Sequence, residues 1–172
     1  MRNFVRFAGI AVLLAAGTLW VAAPAGAITP ASFTLTSGGL SISAPTSAVS
    51  LGTQVALPTG STMSGPLGPV TVIDERGGAT TWTASVISSA FTPPAGPADP
   101  ASNVSYAAGS ITVDANVVAT SVPQPDLTGV SIIATGASTG ISTASWNPTI
   151  SVVVPASFAP GVYTATITHS VA

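Results

Sequence analysis

Side chains capable of acid–base or nucleophilic chemistry are few in this chain. Its 172 residues include five acidic residues, three basic residues, no cysteine and a single histidine, His169. A zinc site ordinarily needs several nitrogen or sulfur ligands, and a catalytic imidazole needs a nucleophile or a second acid–base group within hydrogen-bond reach. One histidine without cysteine does not meet the first need. The pattern G-x-S-x-G occurs once, at residues 136–140, but it lies between two predicted strands and so lacks the helix that follows the serine of a nucleophile elbow. We therefore predict a non-enzymatic protein without a metal or cofactor.

The densest group of charges is Asp74-Glu75-Arg76, which two glycines follow. Adjacent carboxylates on an extended strand point to opposite faces, so Asp74 and Glu75 are not expected to form the paired acids of a glycosidase. The pattern is typical of a solvated turn in which Arg76 pairs with a carboxylate or a loop carbonyl. Calcium binding is the alternative, because carboxylates and carbonyls are suitable oxygen ligands, although no D-x-[DN]-x-[DN]-G loop is present.

Four aromatic or imidazole side chains are candidate recognition residues. Trp82, on an alternating strand, and Trp146, beside an Asn-Pro pair, have two interpretations: packing in the core, or an exposed platform for a sugar ring or a partner protein. Tyr163 is expected to anchor a sheet corner through its hydroxyl, with ligand binding as the alternative. His169 is expected to be packed or half-exposed.

Residues 1–27 have the organisation of an export signal. Arg2 and Arg6 precede a continuously apolar or small stretch over residues 7–23, and Pro24 and Ala25-Gly26-Ala27 follow it. Small residues in an A-x-A pattern after a helix breaker predict cleavage after residue 27. An uncleaved anchor is the alternative, because 17 apolar residues lie at the lower limit of about 17–25 for a membrane-spanning helix. The cleaved protein is predicted to be secreted, with no transmembrane segment.

The composition after the signal favours β-strands over helices. Of the remaining 172 − 27 = 145 residues, 22 are Thr, 16 are Val and 10 are Ile, so 48 are β-branched and fit a pleated surface. Straight-chain helix formers are scarce, with one Glu, two Gln, six Leu and no Lys. Fourteen prolines and fourteen glycines divide the chain into short pieces. Residues 28–172 are therefore predicted to form one all-β domain.

Short alternating runs separated by Gly and Pro predict about nine to eleven strands. The clearest covers residues 81–87, where Trp82, Ala84 and Val86 share one face. Gly38-Gly39 reads as a hairpin turn, residues 61–69 as a turn, and the proline-rich residues 92–102 as an extended loop. Such spacing is typical of an antiparallel β-sandwich or a jelly-roll-like barrel. The predicted strands lie at residues 33–36, 40–44, 49–51, 70–74, 81–87, 111–113, 117–119, 130–134, 141–146, 150–154 and 162–171.

The charge balance excludes two classes of partner. After residue 27 the chain keeps one basic residue, Arg76, against five acidic residues, so its formal charge is 1 − 5 = −4. A protein without a basic patch cannot neutralise nucleic-acid phosphates or bind anionic lipid headgroups by charge. Nucleic acid is therefore not an expected partner.

Two blocks of the sequence contain recognisable motifs. Residues 67–91, LGPVTVIDERGGATTWTASVISSAF, contain a V-x-V-x-D-x-R-G turn and a tryptophan-led strand. Residues 146–171, WNPTISVVVPASFAPGVYTATITHSV, close on a Gly-x-Tyr strand. These blocks resemble the first and second signature regions of the WxL-domain surface proteins of Gram-positive bacteria, in particular those of their relatives in actinobacteria. The tripeptides Trp82-Thr83-Ala84 and His169-Ser170-Val171 stand where the family carries W-x-L, so histidine occupies a tryptophan position.

The resemblance implies a location and a kind of function. Family members are exported, lie on the cell surface and are described as attaching non-covalently to peptidoglycan. We therefore expect a secreted, extracellular module that associates with the cell wall or with other surface proteins. The alternative is a structural subunit that pairs an open sheet edge with a copy of itself and so builds a surface layer or fibre.

Overall fold

The computed structural model describes residues 30–172. The predicted signal peptide, residues 1–27, lies outside these described residues. Leu35–Ala172 form one compact unit, and residues 30–34 belong to a separate N-terminal unit. Within residues 30–172 there is no helix with the length and hydropathy needed to cross a bilayer. Apart from a short 3₁₀-helix at Ala101–Asn103, the regular structure of this part of the chain consists of strands: β1 Leu40–Ser43, β2 Ser61–Pro66, β3 Val70–Asp74, β4 Thr80–Ser88, β5 Val104–Ala107, β6 Thr112–Val113, β7 Val117–Ser121, β8 Ser131–Ser138, β9 Ser142–Trp146, β10 Thr149–Val154 and β11 Ile167–Val171.

The strands form three antiparallel sheets, which confirms the predicted all-β, sandwich-like fold. The first sheet has the order β1-β3-β9-β6, the second β2-β10-β5 and the third β11-β4-β8-β7. At Asn147-Pro148 the chain passes directly from β9 to β10 and so joins the first two sheets. The edge strand β1 of the first sheet contacts the edge strand β11 of the third, and β6 contacts β7 in the same way. The first and third sheets therefore approach each other at both edges.

The core lies on the inward face of each sheet, as the alternating pattern requires. In β4 the predicted inner residues Trp82, Ala84 and Val86 are all buried. Beside them, β8 contains a bulge: the pairing shifts between Ala84/Ser85, so that Ile133 is an extra residue in its strand. Because a bulge reverses the alternation locally, Ile133 and the residue after it are both buried.

Several predicted element boundaries are wrong. Residues 61–66, predicted as a turn, are β2, a strand of small and polar residues that pairs with the apolar strand β10. Residues 33–36 and 49–51 form no strand, and β1 pairs with β3 instead of forming a hairpin with residues 33–36. The last strand begins at Ile167 instead of residue 162, with one isolated bridge between Thr92 and Thr164 before it.

Candidate functional site

A hydrogen-bonded chain of three side chains connects the core to the last strand. The indole Nε1 of Trp146 donates to the hydroxyl of Tyr106 at 2.9 Å, and that hydroxyl lies 3.1 Å from Nε2 of His169. The rings of Tyr106 and His169 are tilted, with centroids 5.7 Å apart. Burial raises the pKa of the Tyr106 hydroxyl far above its usual range, so the group stays protonated.

The hydroxyl of Tyr106 pairs with a ring nitrogen on each side. An indole nitrogen only donates, so the Tyr106 oxygen accepts from Trp146; it meets Nε2 of His169 with its own hydrogen or with its second lone pair, according to the tautomer of the imidazole. The other imidazole nitrogen, Nδ1, is buried and has no hydrogen-bond partner among the described residues. Burial lowers the pKa of His169, because a protonated ring would carry its charge in this partly desolvated position.

The stability of the protein is expected to fall when the pH is lowered from about 7.5 to about 5.5. Unfolded His169 protonates near its ordinary pKa of 6.5, whereas the folded pKa is lower, so the unfolded state binds more protons in this interval. The contribution of neutral His169 to the free energy of unfolding is complete above the pKa of the unfolded state and is lost as the pH falls to the pKa of the folded state. Urea unfolding followed by tryptophan fluorescence measures this slope, and His169→Gln is the matched control that removes it. Equal slopes in both proteins would contradict the prediction.

Asp74 and Arg76 form an ion pair whose carboxylate is buried, which corrects the prediction of a solvated turn. Oδ1 accepts from the Arg76 backbone N–H at 3.1 Å and from its Nε at 2.9 Å. Oδ2 accepts from Nη2 of Arg76 at 2.9 Å and from the Thr80 hydroxyl at 2.7 Å. These bonds, led by the Arg76 side chain, hold the pKa of Asp74 far below its usual range. Since the carboxylate is fully used in this way, it is not available as the calcium ligand of the alternative interpretation.

The two tryptophans are packing residues and not exposed platforms. Trp82 is buried on β4 in the third sheet, and Trp146 is buried at the end of β9 in the first sheet. Trp82 lies over Gly136 of β8, so closely that a β-carbon there would overlap the indole ring. The structure connects Trp146 to His169 through Tyr106, but Trp82 is not part of that network.

Tyr163 lies at a groove along the last strand. Its hydroxyl donates to the carbonyl of Ala159 at 3.0 Å, and its ring stacks on Phe158 with centroids 5.7 Å apart. This bond joins residues that are four positions apart, and both lie in the loop before β11. The groove is lined by Tyr163–Ile167 and His169 together with residues 44–49, Leu51, Leu67, Phe91 and Ile150. Its volume is about 380 Å³. It brings Tyr163 and His169 to the same opening.

Tyr106 is the residue of this site that sequence reasoning missed. It belongs to β5, in a segment to which no strand was assigned. A signal was present: Val104, Tyr106 and Ala108 alternate with polar or small residues, and all three are buried. The alternating run is short there, because the strand has only four residues.

Comparison of the chain with protein-family models, with curated proteins and with solved structures finds no match. The similarity to the WxL-domain family therefore depends on the two sequence blocks described above.

Proposed function

We propose that the protein is an exported, non-enzymatic cell-surface module that contacts the cell wall or other surface proteins. The proposal combines the signal-like N-terminus and the two WxL-like blocks with a surface suited to neutral polymers. Peptidoglycan glycan chains, which present hydroxyl and amide groups, are the preferred partner.

The outer face of the third sheet is the observation that carries this proposal. Thr83, Thr135 and Thr120 stand at one register position on β4, β8 and β7, and form a row of hydroxyl side chains across the sheet. On the neighbouring strand pair, the hydroxyls of Ser85 and Ser170 lie 2.9 Å apart. A neutral face rich in hydroxyls can exchange hydrogen bonds with a sugar polymer without desolvating any charge.

The reactive side chains of the WxL-like blocks already have structural partners, which supports a function without bond cleavage. The Asp74 carboxylate is bound by Arg76 and Thr80, and Nε2 of His169 is bound by Tyr106. A hydrolase needs an acid, a base or a nucleophile directed at one point in a cleft. Labelled peptidoglycan is therefore expected to stay intact when it is incubated with the protein.

Retention on purified wall fractions tests the proposal. We expect the protein to sediment with the walls, with little change between low and high salt, because the contact face carries no charge to be screened. The variant Thr83→Ala/Thr120→Ala/Thr135→Ala is expected to lose several-fold in retention. As a matched control, Thr112→Ala/Thr139→Ala/Thr149→Ala alters hydroxyls away from the row and should bind normally. Recovery of the wild-type protein entirely in the unbound fraction, at all salts and pH values, would refute wall binding.

A self-associating structural subunit is the second candidate function. The observation that favours it is that the backbone of the edge strand β11 pairs with β4 only, while β1 approaches its other side without forming a ladder. An unpaired strand edge is a ready template for a further strand.

A further inference from the structure

The last strand and the residues leading into it carry a row of unpaired backbone groups. Thr164 exchanges backbone hydrogen bonds with Thr92, and the carbonyl of Thr166 accepts from Ser89, so the even-numbered residues face the β4 side. By antiparallel alternation, the odd-numbered residues direct their N–H and C=O groups to the other side, where no backbone group pairs with them within residues 30–172. These residues are Ala165, Ile167 and His169.

All three residues line the groove described above. Its volume of about 380 Å³ is within the range of about 300–1,000 Å³ that small-molecule sites span. β1 comes within 8 Å of β11 on this side. The opening therefore suits a small group better than a further strand.

The groove lining combines apolar and neutral polar side chains. Leu51 and Phe91 contribute apolar surface, and Thr46 and Ser47 contribute hydroxyls. The lining contains no Asp, Glu, Lys or Arg, and burial lowers the pKa of His169, so that its ring is neutral at pH 7. An ionised ligand would lose hydration here without gaining a counter-charge, and a purely apolar ligand would cover the unpaired N–H and C=O groups. The lining therefore fits a neutral ligand with both a hydrogen-bonding part and an apolar part.

An acetamido group has both parts in one small unit. Its carbonyl oxygen can accept from an unpaired N–H of the last strand. A trans amide directs its N–H the opposite way, so that this hydrogen remains for a hydroxyl such as that of Thr46 or Ser47. Its methyl group needs an apolar contact, which Leu51 and Phe91 offer. N-acetylated amino sugars carry this group beside neutral hydroxyls.

We propose that the groove binds the N-acetyl group of an amino sugar, with the acetamido carbonyl bonded to the N–H of Ala165 and the methyl group against Leu51 and Phe91. This inference rests on the proposed wall function, because it names the part of the glycan chain that the protein recognises. It adds a pocket with a defined ligand to the hydroxyl row on the third sheet.

A titration followed by nuclear magnetic resonance tests the site directly. The ¹⁵N-labelled protein is purified as its host processes it, and the probe is N,N′-diacetylchitobiose, a neutral disaccharide with two acetamido groups. We expect the backbone amide signals of Ala165, Ile167 and His169 to shift progressively and to saturate. Cellobiose, which has the same linkage but a hydroxyl in place of each acetamido group, is expected to leave these signals unchanged.

Two substitutions at one position separate the hydrogen bond from the space. Ala165→Pro removes the donating N–H without removing a bond to β4, a change that edge strands tolerate. It is expected to weaken binding about tenfold, as measured on the signals of Ile167 and His169, because the ligand carbonyl loses its donor. Ala165→Leu places a larger side chain in the groove and is expected to abolish binding. Ala107→Leu, at an exposed alanine of β5, is the matched control and should bind like the wild type.

Circular dichroism and thermal unfolding verify that the variants fold. If Ala165→Pro does not fold, Ala165→Leu and its control carry the comparison. Three results would overturn the proposal: unchanged signals with diacetylchitobiose up to about 10 mM, equal shifts with cellobiose, or unweakened binding by a folded Ala165→Leu protein.

A second source of the same amide, and the walls themselves, complete the test. N-acetylalanine methylamide carries an acetamido group without a sugar, and binding as tight as that of the disaccharide would overturn the assignment to an amino sugar. Retention on walls is measured separately on the same protein. Retention without any shift by the disaccharide would overturn the groove site alone, whereas specific shifts without retention would support the groove site and count against wall binding.

Discussion

Gly136→Ala is expected to destabilise the fold by about 3 kcal/mol, the upper end of the usual cost of overfilling a core. A β-carbon at position 136 would overlap the six-membered and pyrrole parts of the Trp82 indole. The indole is buried and therefore cannot move aside without displacing its neighbours on β4 and β8. Chemical unfolding of the purified variant, followed by circular dichroism, measures the change.

Two companion variants make that measurement specific. Gly129→Ala is the matched control, because a β-carbon there meets nothing within 4 Å, and its effect is expected to lie within about 0.5 kcal/mol. In the double variant Trp82→Phe/Gly136→Ala the smaller ring leaves room for the added methyl group. Its destabilisation is expected to be less than the sum of the two single changes. Strict additivity would show that the close approach of indole and glycine is not the cause.

Asp74→Ala is expected to cost about 3 kcal/mol, at the lower end of the range for breaking a buried ion pair. The change leaves Arg76 and the Thr80 hydroxyl without the carboxylate that accepts from both. The guanidinium is about one-third exposed and can regain water, which keeps the cost from being larger. Glu75→Ala alters the adjacent, exposed carboxylate and is expected to be nearly neutral.

The pH dependence of stability in acid tests the Asp74–Arg76 ion pair independently. The folded pKa of Asp74 lies below its ordinary value of 3.8, so its contribution is complete above that pH and is lost as the pH falls further. The difference in unfolding free energy between wild type and Asp74→Ala is therefore expected to shrink below about pH 4. A difference that stays constant into strong acid would exclude the carboxylate as its source.

The parts of the fold that could be predicted are those whose side chains alternate clearly between apolar and hydroxyl. Residues 81–87 are the best case: bulky apolar residues at every second position predict both the strand and its inner face. The same pattern identifies residues 70–74 and 150–154. Where the strand is built from small polar residues, as in Ser61–Pro66, the sequence alone carries no such period. That strand forms because the apolar strand β10 offers it a partner.

The candidate site was predictable only in part, because burial of a polar group depends on partners distant in sequence. The pairing of Arg76 with a nearby carboxylate was expected from their spacing, but the burial of Asp74 at the end of β3 has no signature in the local sequence. His169 was singled out as a lone imidazole, whereas its partner Tyr106 lies 63 residues earlier in an unassigned segment. A groove formed between residues 44–51 and 163–169 has no signature in either segment.

The pairing of the last strand with β4 has a consequence for the order in which the protein acquires its structure. Ile167 opposes Ser88 and Val171 opposes Ala84, so this pair joins residues about eighty positions apart, and β2 with β10 joins residues equally remote. Such non-local topologies fold on the timescale of milliseconds to seconds, because the chain must close long loops before the contacts compensate the lost entropy. The third sheet is complete only when β11 joins it, so this step of folding has to wait for the closure of a loop of about eighty residues.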